Sequence, residues 1–184
     1  PLAMALDKAI TKKLLRHEGV PTPEFQVFTH EDERLNPCLK FPLIVKPNRE
    51  GSAKGIHADN VVRDKDQLYR KVREVIRLYK QEVLVEEFIE GKELTVGIIG
   101  NSHLRVLPIL EIDFSGCKES GEFFYSWRMK EFQGDEEHHL NPAFYCPARL
   151  SAELKERVEK TALAAHKALG CLDLSRIDIR LKDD

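Results

Sequence analysis

A lysine at the end of an apolar run, with a short glycine loop beyond it, could together hold a phosphate group. The run "FPLIVK" covers residues 41–46 and is followed by Pro47, Gly51, Ser52 and Gly55. Glycines let backbone N–H groups approach an anion closely, and a lysine ammonium supplies the opposite charge. The loop does not end in Gly-Lys-Ser/Thr and contains no G-x-G-x-x-G, so two familiar phosphate-binding motifs are excluded. An ordinary hairpin loop explains these residues equally well.

A second charged pattern lies in "SRIDIRL", residues 175–181. Alternation along a strand predicts one apolar face, with Ile177, Ile179 and Leu181, and one charged face, with Arg176, Asp178 and Arg180. A carboxylate on such a face could bind a metal ion, and an arginine could bind an anion. A solvated outer face with weak surface ion pairs is the plainer alternative.

A third pattern, "VEEFIEGKELTV" at residues 85–96, has five Glu or Lys residues among twelve, where one strand should end and the next begin. Acidic side chains at a strand end can accept hydrogen bonds from ribose hydroxyls. They can equally serve to keep a sheet edge soluble.

The elements that must position these residues follow from periodicity. Residues 7–18 are predicted as a helix that Asp7 caps, with Ile10, Leu14 and Leu15 on one face. Residues 65–80 form a second amphipathic helix, and Ser151 caps a third that ends before Gly170.

Strands are predicted at "EFQVF", at 41–46, and in three runs, "EVLVEEF", "KELTVGIIG" and "LRVLPILEI", with "EGKE" and "GNSH" as hairpin turns. Residues 116–149 are interpreted as a largely irregular, mobile loop that includes "GDEEHHLNP", with a short strand before it, and "LSRIDIRL" is the last strand. This order predicts an α+β fold with a largely antiparallel sheet.

Composition limits the possible classes. The 184 residues are 42% apolar and 33% charged with a net charge of -2, which is a globular profile without the basic field that nucleic-acid binding favours. No apolar run is long enough to span a bilayer, and the N-terminus lacks a signal-peptide pattern. The four scattered cysteines form no C-x-x-C pair, which favours reduced thiols in a cytoplasmic protein over a zinc site.

Taken together and in this order, the segments resemble the ATP-grasp ligases, most closely the D-alanine–D-alanine ligase branch. The resemblance covers nearly the whole chain. It is carried by "LDKAITKKLLRHEGVPTPEF", "FPLIVKPNREGSAKGI", "VLVEEFIEGKELTVGIIG", "LPILEI", "YSWRMKEF" and "CPARLSAELKERVEKTALAAHKALGCLDLSRIDIRL". It implies an ATP-grasp fold, in which two α+β lobes with mostly antiparallel sheets clamp ATP. The implied division is an N-terminal helical segment at 1–20, a small lobe with the glycine flap at 21–85, and a second lobe at 86–184.

The resemblance also implies roles for individual residues. Those expected to bind ATP are the phosphate-contacting Lys8, Lys46 and Lys130, the flap residues Glu50, Gly51 and Ser52, the adenine-framing Glu86, Glu87, Phe88 and Ile89, and the ribose-binding Glu93. Arg176 is expected to stabilise charge on the reacting carboxylate, and Asp178 to bind Mg²⁺.

The implied activity is ATP-dependent ligation of a carboxylate to an amine through an acylphosphate, with ATP and Mg²⁺ as cofactors and an amino acid or another small carboxylate or amine as substrate. No nucleic-acid or membrane partner is expected, and a homodimer of the longer protein is left open.

Several departures from the family pattern keep alternatives open. Ala53 follows Ser52 where the family has a second serine, and Met129 and Glu131 flank Lys130 in place of Ala and Tyr. The family's N-terminal domain and its Glu-x-Asn strand have no counterpart in the sequence. We therefore expect a fragment of a longer enzyme that does not turn over alone. A non-catalytic ATP-binding module and a different ATP-grasp amino-acid ligase are the alternatives.

Overall fold

The computed structural model of the chain describes residues 1–117, 119–132, 134, 137 and 139–182. Its helices and strands, in chain order, are α1 (Leu2–Leu6), α2 (Lys8–His17), β1 (Phe25–Phe28), β2 (Leu43–Pro47), β3 (Val61–Val62), α3 (Lys65–Tyr79), β4 (Val83–Glu87), β5 (Lys92–Ile99), β6 (Arg105–Val106), β7 (Leu110–Asp113), α4 (Trp127–Phe132), β8 (Ala143–Tyr145), α5 (Ala152–Ala168) and β9 (Leu174–Leu181).

The first sheet has the order β1-β4-β2-β3 with every neighbour antiparallel. The α3 helix packs on it because Leu68, Val72 and Val75 recur at helical spacing and are buried in the core beneath the sheet. Asp64 caps α3 by accepting a hydrogen bond from the Gln67 N–H at 2.8 Å. Residues 48–60 connect the paired strands β2 and β3, so the predicted flap is the loop of a long hairpin.

The second sheet is built around β5, which pairs with β6, β7 and β9, while β8 pairs with β7. All of these pairs are antiparallel, which confirms the predicted α+β class. The α5 helix covers one face, where Val158 and Ala162 pack against the strand residues Leu94, Val96 and Ile98. Ser151 caps α5 as predicted, accepting from the Leu154 N–H at 3.2 Å.

The sequence "LRVLPILEI" does not form one strand. It is divided into β6 and β7, with Ile98 opposite Val106 but Thr95 opposite Leu110, so the 105–112 segment carries one residue more than β5 opposite it. Such an extra residue is a bulge. Pro108 lies in the interruption and has no N–H to donate to a ladder, which is the physical reason for the break.

The prediction of a hairpin turn at "EGKE" was wrong. The segment follows β4 of the first sheet and begins β5 of the second, so it belongs to a crossover between the sheets. The prediction at "GNSH" is confirmed, because β5 and β6 pair directly across that turn.

The region 116–149 is more regular than predicted. It contains the helix α4 and the strand β8, which extends the second sheet. Within the predicted loop "GDEEHHLNP", residues 135, 136 and 138 lie outside the described residues.

The predicted apolar face of α2 is only partly correct, because Leu14 and Leu15 are partly buried but Ile10 is not. Asp7 caps the helix as expected, accepting from the Ile10 N–H at 3.0 Å, but the Ile10 side chain is half exposed. The buried residues are Ala9 and Lys12. Lys12 turns inward because a buried carboxylate, Glu86, binds its ammonium.

In the part of the chain that the structure describes, no helix is both long and apolar enough to cross a membrane.

Candidate functional site

A cavity of about 660 Å³ lies where the two sheets meet. Its walls come from α2, the ends of β2 and β4, the start of β5, helix α5 and strand β9. Seven of the thirteen residues proposed from the sequence line it, namely Lys46, Glu86, Glu87, Phe88, Ile89, Glu93 and Asp178.

A carboxylate between two ammonium groups forms one wall. Glu86 Oε1 lies 2.5 Å from Lys46 Nζ, and Glu86 Oε2 lies 2.6 Å from Lys12 Nζ. Burial alone would raise the pKa of Glu86, but the two lysines outweigh it and lower that pKa to about 2. Burial lowers the pKa of Lys12. The cluster carries a net positive charge and lies at the base of the flap, where an anion could be attracted.

Glu93 stands at the start of β5 and is largely buried. Its Oε2 accepts from Arg180 Nη1 at 3.0 Å and from the Tyr125 N–H at 3.1 Å. Burial raises the pKa of Glu93, although Arg180 and the Tyr125 N–H oppose that rise. An ionised carboxylate held in this way can still accept hydrogen bonds from hydroxyl groups.

An aromatic group provides the apolar wall. Phe88 makes edge-to-face contacts with Phe123 and Phe124, at ring-centroid distances of 5.6 and 5.9 Å. Phe124 also packs with Ile44 from β2. Glu87 lines the cavity, and its carboxylate accepts from the Lys40 N–H at 2.9 Å. An apolar slot with a few polar groups suits a flat heterocycle.

The flap residues lie beside the cavity rather than in its lining. Lys8 Nζ donates to the backbone oxygens of Pro47 at 3.1 Å and Glu50 at 2.5 Å, which ties α2 to the base of the flap. Burial, and to a smaller degree the charge of Lys46, lower the pKa of Lys8 to about 8.

The tip of the flap has unusual backbone geometry. Ser52 and Ala53 have φ values of 54° and 57°, in the left-handed region that non-glycine residues rarely occupy. Gly55 has φ 75°, and a Cβ there would collide with the Tyr79 ring. Glu50 accepts from Gln81 Nε2 at 3.0 Å.

Arg176 and Asp178 lie on the open face of β9. Asp178 Oδ2 is 3.1 Å from Arg176 Nη2, and Asp178 Oδ1 accepts from the Thr95 hydroxyl at 3.0 Å. Both side chains are more than half exposed. Among the described residues, no three His, Cys, Asp or Glu side chains are grouped to hold a metal ion.

Lys130 lies on α4, with its Nζ 5.7 Å from the centre of the Tyr125 ring. Tyr125 lines the cavity, whereas Lys130 does not. The other six proposed residues do not line the cavity, namely Lys8, Glu50, Gly51, Ser52, Lys130 and Arg176.

The chain matches the family model described as D-ala D-ala ligase C-terminus over residues 14–184. It belongs to this family. A D-alanine–D-alanine ligase from Carboxydothermus hydrogenoformans is 35% identical over 97% of this chain and 55% of that protein.

Two solved structures are similar in fold. A D-alanine–D-alanine ligase from Bacillus anthracis complexed with ATP has a TM-score of 0.71 and 34% identity over 98% of this chain and 52% of that one. The VanG D-Ala:D-Ser ligase from Enterococcus faecalis has a TM-score of 0.73 and 27% identity over 98% of this chain and 49% of that one. The chain thus spans about half the length of the relatives that it matches.

Two charged residues of this family member were not chosen from the sequence. Lys12 lies one helical turn after Lys8, and that spacing was a usable signal. Arg180 alternates with Asp178 on β9, and its contacts with Glu93 and with the backbone of Ile89 and Gly91 distinguish it from a surface arginine.

A second cavity, of about 560 Å³, lies at the edge of the second sheet. Arg149 pairs there with Glu111 at 2.7 Å and Asp113 at 2.8 Å, and Lys92 with Glu111 at 3.1 Å. None of the thirteen residues proposed from the sequence lines it.

Proposed function

We propose that the natural-length protein is an ATP-dependent carboxylate–amine ligase of the D-alanine–D-alanine ligase type. The observation that carries this proposal is the single cavity that combines Lys46, the Glu86–Ile89 segment, Glu93 and Asp178. A base, a sugar, a polyphosphate and a metal ion each need a different chemistry, and these residues supply all four. The assignment is supported by the similarity of this chain to the Bacillus anthracis ligase whose structure was solved in complex with ATP.

In this proposal, adenine lies in the apolar slot beside Phe88 and Ile89, with the backbone of residues 86–89 providing its polar contacts. The ribose hydroxyls donate to Glu93, whose carboxylate is already held in place. Lys46 is 22% exposed at its side chain, so its ammonium can turn from Glu86 toward a phosphate.

Further cations surround the phosphate position. Lys8 at the flap base and Lys130 on α4 are the proposed additional contacts, and Glu50, Gly51 and Ser52 form the cover. Mg²⁺ commonly takes one or two protein carboxylates and completes its shell with phosphate oxygens and water. Asp178 fits that role, because its exposed carboxylate is oriented by Thr95 and Arg176. The bound metal would neutralise charge on the phosphates.

The proposed reaction has two steps. A substrate carboxylate oxygen attacks the γ-phosphorus of ATP, the bond to the bridging oxygen breaks, and ADP leaves. The amine nitrogen of the second substrate then attacks the acyl carbon, loses a proton, and inorganic phosphate leaves. Arg176 stabilises the negative charge on the reacting carboxylate, and the cations around the phosphates stabilise the transferred group.

The test is ADP release by the natural-length protein with ATP, Mg²⁺ and D-alanine, followed by identification of the product. D-serine serves as an alternative second substrate, since the flap departs from the family at Ala53. Dipeptide formation coupled to ADP release is the expected result. ATP binding without turnover on any of these substrates would favour a non-catalytic module, and turnover with a different amino acid would favour another ATP-grasp ligase.

The remaining assignments belong to the same proposal. The three-part division at 1–20, 21–85 and 86–184 would place the ATP cavity between the two lobes. Four free cysteines support a reducing, cytoplasmic compartment. A homodimer of the natural-length protein stays open.

A further inference from the structure

One arginine connects the parts of the cavity that we assign to the base and to the ribose. Arg180, on β9, donates from Nε to the Ile89 carbonyl at 2.9 Å and from Nη2 to the Gly91 carbonyl at 3.2 Å. Its Nη1 binds Glu93 at 3.0 Å, and its guanidinium lies 4.8 Å from the centre of the Phe88 ring. A single planar group thus contacts the Phe88 ring, the backbone of Ile89 and Gly91, and the Glu93 carboxylate.

The contacts are made in a largely desolvated place. The side chains of Arg180 and Glu93 are 22% and 16% exposed. Charged hydrogen bonds are stronger and more directional when water is excluded, and the rigid fork of a guanidinium loses little freedom on forming them. Arg180 therefore fixes its partners in position, which an exposed arginine would not do.

The segment that Arg180 holds is the crossover between the two sheets. Residues 88–91 follow β4 in the first sheet and precede β5 in the second. The same crossover packs tightly against the end of β9. Gly91 has φ 139°, and a Cβ at this position would collide with the Leu181 carbonyl, so only glycine allows the two segments to approach so closely. Two independent features, a glycine and an arginine clamp, thus attach this crossover to β9.

We infer that Arg180 is a positioning residue for the nucleoside, which locks the Phe88–Gly91 crossover and the Glu93 carboxylate into one arrangement. The base and the ribose are then recognised as a unit rather than separately. This inference rests on the proposed function and adds to it a residue that determines how strongly the ribose hydroxyls contribute to binding.

The first arm of the test uses the natural-length protein and two substitutions. Arg180→Met keeps an apolar stem of similar length and removes the donors, so KM for ATP should rise about 10- to 30-fold while kcat changes less than about threefold. Arg180→Lys keeps a positive charge for Glu93 without the planar guanidinium, and its KM for ATP should lie between those of the unaltered protein and Arg180→Met. Arg105→Met, at an exposed position on β6, is the matched control and should leave both constants unchanged.

The second arm separates positioning from a merely structural role. KM is compared for ATP and 2′,3′-dideoxy-ATP in each protein. Loss of both hydroxyls should raise KM about tenfold in the unaltered protein but less than about threefold in Arg180→Met, because Glu93 is no longer held. If Arg180→Met does not fold, as judged by its thermal melt, the ratio of KM for 2′,3′-dideoxy-ATP to KM for ATP is measured in Arg180→Lys. That ratio should then be smaller than in the unaltered protein.

The inference would be overturned if Arg180→Met raised KM equally for ATP and for 2′,3′-dideoxy-ATP, so that the ratio of the two KM values stayed as in the unaltered protein. Arg180 would then be a structural residue. Unchanged KM values would overturn it as well. If the unaltered protein neither binds nor consumes ATP, the proposed function itself fails, and this inference fails with it.

Discussion

Two groups of ion pairs border the same cavity and differ in their contact with water. Glu86 and Lys12 are buried on the first-sheet side, and their pairing with Lys46 lowers the pKa of Glu86 to about 2. Arg176 and Asp178, on the second-sheet side, are 64% and 54% exposed. The first group is enclosed by the fold, whereas the second is open to any ligand that enters.

The difference indicates different roles for similar side chains. Removing one partner from a buried group leaves uncompensated charge in a poorly solvated place, so the buried group should govern stability. Exposed pairs contribute little to folding, so substitutions in the exposed group should affect ligand and metal binding without affecting stability. Substitutions on each side can break or sharpen this contrast.

The largest effect is expected for Glu86→Gln. It leaves Lys12 and Lys46 close together without a counter-charge, and we expect a loss of about 3 kcal/mol in the free energy of unfolding measured with urea. Because the pKa of Glu86 is lowered from 4.5 to about 2, its contribution is present above pH 4.5 and is lost as the pH falls toward 2. The free energy of unfolding of the variant should therefore depend less on pH over that acid range than that of the unaltered protein.

The control is Glu156→Gln, which breaks an exposed pair with Lys160 on α5. Its unfolding midpoint should stay unchanged. Equal losses in the two variants would remove the contrast between buried and exposed pairs.

Lys46→Ala is expected to have the next largest effect, mainly on catalysis. Lys46 is both a member of the buried group and the proposed phosphate contact. Its loss should therefore raise KM for ATP and lower kcat, each about tenfold or more. Steady-state ADP release over a range of ATP concentrations measures both constants. An unchanged response to ATP would show that the flap and its lysine are wrongly assigned.

Asp178→Asn should separate folding stability from metal binding most clearly. The free energy of unfolding should change by less than about 0.5 kcal/mol, because the side chain is exposed. The Mg²⁺ concentration needed for half-maximal activity should rise about tenfold, since a neutral amide is a weaker ligand for a hard cation. Superimposable Mg²⁺ titrations of variant and unaltered protein would remove Asp178 from the metal site.

Much of the fold could be predicted because its signals are local. The spacing of Leu68, Val72 and Val75 predicted α3, and alternation in "SRIDIRL" correctly predicted the core face of β9. The hairpin loop after β2 was recognisable from Lys46 and the glycines beyond it, because a strand followed by a turn is a local signal, but these residues alone did not distinguish a flap from an ordinary loop.

The rest depends on partners distant in the chain. The residues of "EGKE" have the same turn chemistry whether the next strand returns to the first sheet or enters a second one. Lys12 faces inward only because Glu86 lies opposite it, 74 positions later. The importance of Arg180 became visible only with its contacts to the crossover, because its place in the alternating pattern is identical to that of a surface residue.

The most direct measurement is a crystal structure of the natural-length protein with Mg²⁺ and a non-hydrolysable ATP analogue. We predict that the base lies beside Phe88 and Ile89, the ribose hydroxyls on Glu93, and the triphosphate near Lys46 and Asp178 beneath the flap. A nucleotide bound instead in the cavity beside Arg149, or one whose ribose lies away from Glu93, would contradict this prediction.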